Sequence, residues 1–418
     1  MLIKIIITFS VRILGALLAF IISFLIAQKL SLDEAGYFFL AIALLGLLNL
    51  FGLCGLHVST LRFMSIAHGQ GKQNEVNTIA VFSFLIVLLM GVFKLALFYK
   101  FDKMVAQYLW GDPELSFIFF YTALISVPMS LNMLIAHWLQ AMSKAVLTVF
   151  FLSVNIPFLV SLALVLFSLD HAGHVLQWYL VAAFASMFAC LFVFLFFCKG
   201  FKFAKIEYRK LVKASLPTWG TSLIYVLINW SGHFIASIWV DAGQIALLAI
   251  ANRSALLVSL VLVAVNMVVA PKYALLYSEG RVAEMSALAK KITKTLSAIV
   301  IPFVIVLAFC AEFILAFFGS EYVAASTLLI ILLIGQLVVV LSGAVGPLLN
   351  MSGNEKYLNI AAVTAAVLVT ALNLTLIPFI GVVGAAIATA LAVISQNFVA
   401  AWYVKKRLGF NVYAFIGK

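Results

Sequence analysis

The chain has 418 residues, of which 66% are hydrophobic and only 10% are charged. Ordinary soluble domains contain about 45–50% apolar and about 25% charged residues, so this composition excludes a water-soluble protein and predicts one that lies in lipid. The net charge of +12 would suggest nucleic-acid binding in a soluble chain, but here its distribution follows membrane topology. The four cysteines lie in apolar stretches without metal-ligand spacing, so we predict no disulfide framework, no metal site and no cofactor.

Twelve apolar segments of about 20 residues follow one another along the chain and predict twelve transmembrane helices. Helices are required because lipid offers no partner for unpaired backbone groups. The first six segments are 5–28, 37–56, 78–98, 117–139, 145–168 and 176–198, and the second six are 216–240, 245–270, 295–318, 327–349, 359–378 and 384–404.

Lysine and arginine residues predict the orientation of these helices. With the N-terminus inside, twenty of the 26 basic residues lie in inner segments and only Lys29, Lys100 and Lys103 lie in outer segments. Because basic residues accumulate on the cytoplasmic side, we predict that both termini are cytoplasmic. The protein is therefore expected to be a multi-pass membrane protein that contacts anionic lipids and no nucleic acid.

Two short sequence similarities, each at an offset of just over 200 residues, predict an internal repeat. AGYFFLAIA at 35–43 is similar to AGQIALLAIA at 242–251, and MSK at 142–144 is similar to the start of MSGNEK at 351–356. The predicted lobes are residues 1–198 and 216–404, joined by a basic cytoplasmic connector (199–215) and followed by a cytoplasmic tail (405–418). Six spans per lobe give parallel repeats around a central cavity.

Two arginines lie at membrane depth, where charge is costly and usually faces a cavity or a partner. Arg12 lies about two turns into the first span, and Arg253 lies about two turns into the eighth. They are interpreted as two anion-binding points, because the planar guanidinium can donate two hydrogen bonds to a phosphate. The alternative is that Arg12 extends to the inner headgroups and that Arg253 pairs with a carbonyl.

The seventh span carries a polar and aromatic group near its middle. Asn229, Trp230 and His233 are interpreted as a wall that accommodates sugars, although such a histidine is more often simply hydrogen-bonded in the interior. Lys94 lies close to the predicted outer end of the third span, so we expect it to extend to the headgroups. Trp219 lies near a span end and is expected to be an interface anchor.

Motifs of common enzymes are missing from the sequence. There is no Gly-x-x-x-x-Gly-Lys-Ser/Thr run and no His-Glu-x-x-His run. The hydrophilic segments, of which 57–77, 199–215 and 271–294 are the longest, are too short for a soluble catalytic domain. A transporter is therefore predicted rather than an enzyme.

The sequence resembles the polysaccharide flippases that translocate O-antigen and capsule repeat units, a family of the superfamily that also contains the MATE exporters. The resemblance rests on EAGYF at 34–38, on Gly52 and Gly55, and on LRF at 61–63, together with twelve predicted spans. It implies that an undecaprenyl-pyrophosphate-linked oligosaccharide crosses from the cytoplasmic to the periplasmic leaflet of the bacterial inner membrane. Alternating access of the two lobes is the expected mechanism.

The resemblance also implies that cationic side chains hold the pyrophosphate, and Arg12, Arg253 and Arg62 are the positions that fit. Implied partners are the lipid-linked oligosaccharide of lipopolysaccharide or capsule synthesis, a glycan polymerase and the chain-length machinery. Three alternatives stay open: a MATE-type drug or cation antiporter, another lipid-linked precursor flippase, and a scaffold of a glycan-synthesis complex. Spans one and seven contain no Asp or Glu, unlike those of typical MATE antiporters.

Overall fold

The computed structural model describes the backbone of residues 2–110, 115–198, 200 and 202–412. Within these ranges it does not describe the side chains of residues 2–6, 109, 110, 221, 225, 227, 229, 260, 263, 264, 267, 268 and 271. All regular structure in the described part is helical, and ten of its helices are long and apolar enough to cross a membrane. The predicted all-α, multi-pass membrane fold is confirmed.

The first compact unit comprises Met1–Val226. Its helices are α1 (Leu2–Lys29), α2 (Leu32–Leu53), α3 (Leu56–Gly69), α4 (Gln73–Trp110), α5 (Ser116–Ala141), α6 (Ala145–Val149), α7 (Asn155–Leu166), α8 (Ala172–Phe197) and the first part of α9 (Tyr208–Ala236). Helix α5 is central, since it packs against α2, α4 and α8. The segment 57–77, expected to be a hydrophilic connection, contains most of α3.

A π-helical turn (Phe150–Val154) lies between α6 and α7. Pro157 lacks the N–H that would bond the carbonyl of Ser153, and a widened turn is one way to accommodate the break. Helix α1 packs against this turn at Gly15, where a Cβ atom would lie 2.7 Å from the backbone carbonyl oxygen of Ser153. A small residue thus permits close approach of two helices, as is common in membranes.

The second compact unit comprises Leu227–Lys418, and its boundary with the first falls inside α9. It contains α10 (Ala242–Ser278), α11 (Val282–Phe309), α12 (Ala311–Ala316), α13 (Ser326–Leu341), α14 (Val345–Met351) and α15 (Glu355–Leu408). Helix α13 packs against α10, α11 and α15 and forms the centre of this unit.

The 54-residue α15 is two antiparallel arms rather than one rod. Its dihedral angles are non-helical at Ile380 and Gly381, and a Cβ atom on Gly384 would lie 2.8 Å from the carbonyl carbon of Leu376. In one straight helix these positions would be about 12 Å apart along the axis. At the other end of the hairpin, the Arg407 guanidinium lies 4.4 Å from the ring centre of Tyr357. The arms correspond to the predicted segments 359–378 and 384–404.

The predicted number of twelve spans is larger than the ten apolar helices in the described residues. Counting the two arms of α15 separately accounts for one of the missing spans. Helix α9, which contains the predicted segment 216–240, is not among the ten and would account for the other. The count of twelve, the lobe boundaries at 198/199 and 215/216 and the central cavity stay predictions.

Candidate functional site

The three arginines predicted to bind an anion lie in different surroundings. Arg12 on α1 and Arg62 on α3 are both exposed, and the Arg62 guanidinium lies 6.0 Å from the ring centre of Phe63. Arg253 on α10 is half-buried. The anion-binding roles of all three arginines stay predictions.

A polar cluster in the second unit brings together Trp230, His233 and Arg253. Trp230 and His233 are three residues apart on α9 and therefore share one helix face, with their ring centres 5.7 Å apart. His233 is 4% exposed, and Arg253 is close enough for its charge to act on the imidazole. The side chain of Asn229, the fourth predicted member, lies outside the described part of the structure.

Asn373 extends this cluster from the first arm of α15. Its side chain is fully buried, and its Nδ2 donates to the hydroxyl of Ser231 at 3.1 Å. Its Oδ1 has no hydrogen-bond partner in the described structure. Gly232 faces the second arm of α15, since a Cβ atom there would be in ordinary contact with the hydroxyl of Thr389 at 3.6 Å. The cluster therefore offers a guanidinium, an indole, an imidazole and neutral oxygens.

A second polar cluster lies inside the first unit and is centred on Lys94 of α4. Its side chain is buried, and its Nζ donates to the Leu48 carbonyl and to the Ser126 hydroxyl, each at 2.9 Å. In the described part of the chain, Lys94 forms no ion pair with an acidic residue; the ion pairs found there lie at helix ends and loops. Lys94 is thus a buried cation held by neutral acceptors.

Gly52 on α2 makes room for the Lys94 ammonium group. A Cβ atom on Gly52 would lie 2.6 Å from the Lys94 Nζ and 2.7 Å from the Ser130 Oγ. The Ser130 hydroxyl also donates to the Asn49 Oδ1 at 3.1 Å. The cluster therefore consists of one cation surrounded by hydroxyl, amide and carbonyl groups.

The prediction that Lys94 extends to the outer headgroups is wrong. Helix α4 continues to Trp110, well beyond the predicted span end at residue 98, so Lys94 is not near its end. Its partner Ser126 lies in the central turns of α5. Hydropathy located the end of the apolar run but not the end of the helix.

The turn between α2 and α3 anchors the first part of α9 within the first unit. Gly55 has a φ of +73°, and a Cβ atom there would lie 2.2 Å from the Ser215 carbonyl oxygen. The Ser59 and Ser215 hydroxyls are 2.6 Å apart. Trp219 Nε1 donates to the Leu50 carbonyl at 3.0 Å. Trp219 is therefore an interhelical contact rather than only an interface anchor.

Comparison with solved structures shows that the chain has the fold of the transporters of the MOP superfamily. A lipid II flippase MurJ in an inward closed conformation has a TM-score of 0.75 and 19% identity over 97% of this chain and 88% of its own. An inward-facing multidrug resistance MATE family transporter of the MOP superfamily has a TM-score of 0.76 and 13% identity over 97% of this chain and 98% of its own.

A third similar structure is a MOP superfamily transporter from Pyrococcus furiosus, described by a reverse polarity of its binding pocket that suggests a different function. It has a TM-score of 0.62 and 13% identity, and the alignment covers 97% of this chain and 94% of that chain. A sequence comparison with curated proteins finds no match.

The family model described as "Polysaccharide biosynthesis protein" matches residues 1–274. The match covers more than half of the chain, so the chain belongs to the polysaccharide biosynthesis protein family. The resemblance noted in the sequence is confirmed.

Proposed function

We propose that the protein translocates undecaprenyl-pyrophosphate-linked oligosaccharide repeat units from the cytoplasmic to the periplasmic leaflet of the bacterial inner membrane. The proposal rests on one observation: each of the two polar clusters contains one basic residue, Lys94 or Arg253, among neutral polar groups. Charged groups at membrane depth are expensive and usually serve a substrate or ion pathway. Family membership and the MOP transporter fold support a flippase.

The second-unit cluster suits a pyrophosphate-linked sugar in its chemistry. The Arg253 guanidinium can donate two parallel hydrogen bonds to a phosphate, and the flat face of Trp230 can pack against a sugar ring. His233 and the described polar groups of the cluster can bond hydroxyl groups. Recognition of this kind uses a few placed polar groups on a largely apolar wall.

In the first unit, we propose Lys94 as the deep cation that complements the substrate charge, in place of Arg12. Arg12 and Arg62 remain candidates for contact with the substrate at the predicted cytoplasmic side. Alternating access of the two halves would carry the headgroup across, and an inside-negative potential favours outward movement of an anion by about 2.3 kcal/mol per charge per 100 mV. A glycan polymerase and chain-length machinery are the proposed partners.

The test replaces Arg253 and measures surface polysaccharide together with the amount of protein in the membrane. Arg253→Ala should reduce surface polysaccharide about tenfold or more, because a hydrogen bond to a charged group contributes about 1.5–3 kcal/mol. Arg253→Lys should retain part of the activity, since it keeps the charge but not the planar fork. The matched control is Arg281→Ala, because Arg281 is exposed and paired with Glu279 and Glu284.

Normal surface polysaccharide in Arg253→Ala, at a normal protein level, would overturn the anion role of Arg253. Deletion of the gene distinguishes the classes of transporter. A loss of surface polysaccharide supports the flippase, whereas a change in drug sensitivity with unchanged polysaccharide would identify a drug antiporter.

A further inference from the structure

A cavity of about 310 Å³ lies in the first unit, at the end of the helices that the basic residues predict to be cytoplasmic. It is open on one side and lined by α3, the start of α4, the connector and the start of α9. Its apolar wall is formed by Phe63, Ile66, Ile79, Ile206 and Leu211. A volume of this size is at the lower end of the range for small-molecule sites, about 300–1,000 Å³.

Four charged side chains line the cavity, and three of them are already paired. Glu207 binds Lys210 at 2.8 Å, and Glu75 binds Lys72 outside the cavity at 3.5 Å. Lys205 forms no ion pair with a described residue. The lining therefore combines an apolar wall with one cation that is not neutralised by a neighbouring acid.

The connector is fixed in position by side chains of α4. Asn77 Nδ2 donates to the carbonyls of Gly200 and Lys202, at 2.9 and 3.1 Å. The Thr78 hydroxyl contacts both backbone groups of Ala204, donating to the carbonyl at 3.0 Å and accepting from the N–H at 2.9 Å. These hydrogen bonds hold the backbone just before Lys205, the next residue. The position of Lys205 at the cavity is therefore set by the fold.

The surface around the cavity has the composition of a membrane interface. Residues 199–213 contain six basic residues and one acidic residue. Phe203 and Leu216 are large apolar side chains with exposures of 60% and 58%. Basic and exposed apolar residues together are typical of segments that bind anionic lipid headgroups while their apolar groups enter the acyl region.

We propose that this cavity binds an anionic phospholipid of the cytoplasmic leaflet. Lys205 contacts the phosphate, and the upper part of the acyl chains lies against Phe63, Ile66, Ile79, Ile206 and Leu211. The bound lipid adds to the contacts that already join the α3–α4 hairpin to the connector and α9, namely the bonds of Asn77 and Thr78 and the contact between the Ser59 and Ser215 hydroxyls. This site shares no residue with the clusters of Lys94 and Arg253.

The test titrates the purified full-length protein in detergent with phosphatidylglycerol or phosphatidylcholine and follows the midpoint of thermal unfolding. A ligand that binds the folded state raises the midpoint with its concentration, which yields an apparent Kd. We expect phosphatidylglycerol to bind more tightly than phosphatidylcholine. Lys205→Gln should raise the apparent Kd for phosphatidylglycerol about fivefold, since one basic side chain near an anionic surface contributes about 1 kcal/mol.

Lys202→Gln is the matched control, because Lys202 is exposed on the same connector and does not line the cavity. It should leave the apparent Kd for phosphatidylglycerol unchanged. Equal weakening by both variants would overturn the proposal, because it would indicate attraction to the whole basic surface. No effect of Lys205→Gln would also overturn it.

Two further arms test the apolar wall and the identity of the lipid. Ile206→Asn should raise the apparent Kd for phosphatidylglycerol. Val212→Asn should leave it unchanged, because Val212 is exposed and lies outside the cavity. If the two variants behave alike, the apolar wall is not used. A polyprenyl diphosphate is the competing ligand. If it displaces phosphatidylglycerol at equal concentration, and if Lys205→Gln weakens its binding more than that of phosphatidylglycerol, the phospholipid assignment is wrong.

Discussion

The Lys94 cluster predicts that Gly52→Ala destabilises the first unit through a specific displacement. The added methyl group would lie 2.6 Å from the Lys94 Nζ and 2.7 Å from the Ser130 Oγ. The lysine side chain is flexible and can move away, but its ammonium group must then leave the Leu48 carbonyl and the Ser126 hydroxyl. The damage is therefore the loss of hydrogen bonds to a buried cation rather than backbone strain.

The expected cost follows from these two bonds. A hydrogen bond to a charged group contributes about 1.5–3 kcal/mol, and a buried charge without partners costs several kcal/mol. We expect Gly52→Ala to lower the free energy of unfolding by about 3 kcal/mol. In a Lys94→Ala background the ammonium group is absent, so the same substitution should cost only about 1 kcal/mol.

The assay is a double-mutant cycle with unfolding in mixed detergent micelles of increasing dodecyl sulfate content. Four proteins are compared: the natural chain, Gly52→Ala, Lys94→Ala and the double variant. A coupling energy of about 2 kcal/mol is expected, within the range for residues in contact. If Gly52→Ala lowers the free energy of unfolding by the same amount in both backgrounds, the contact with Lys94 is not the reason why residue 52 must be glycine.

Two further predictions concern the anchoring of α9 and of the connector. Gly55→Ala should lower the free energy of unfolding by about 3 kcal/mol and reduce the amount of protein in the membrane. Alanine would have to adopt the positive φ of this position, and its Cβ atom would lie 2.2 Å from the Ser215 carbonyl oxygen. Normal levels and stability would contradict this. Asn77→Ala should accelerate limited tryptic cleavage in the connector, whereas Asn74→Ala, at an exposed position one turn earlier, should not. Equal cleavage rates would show that the Asn77 bonds do not hold the connector.

Apolar segments predicted the fold class because lipid imposes one solution on the backbone. They predicted helix ends less well, since hydropathy records where a helix leaves lipid and not where its hydrogen bonds stop. Helix α4 illustrates this: its last turns contain charged residues and still continue the helix to Trp110. The position of Lys94 in the interior follows from that extension and from the approach of Gly52.

The second-unit cluster was partly predictable from local spacing. Trp230 and His233 lie three residues apart on a predicted helix, so a common face could be expected. The contact between Ser231 and Asn373 joins positions 142 residues apart, and a single sequence carries no local signal for it. An asparagine in the apolar segment 359–378 was nevertheless a visible sign that a polar partner was required.

The break in α15 has a consequence for the sidedness of the protein. A continuous 54-residue helix would be about 81 Å long, so one crossing of a core about 30 Å thick would leave its two charged ends facing different compartments. The reversal at Gly381 instead brings Arg407 back to Tyr357, so Lys356 and the basic group at 405–407 emerge on the same face. The turn at Gly381, whose φ is +57°, thus keeps these four basic residues on one face of the protein.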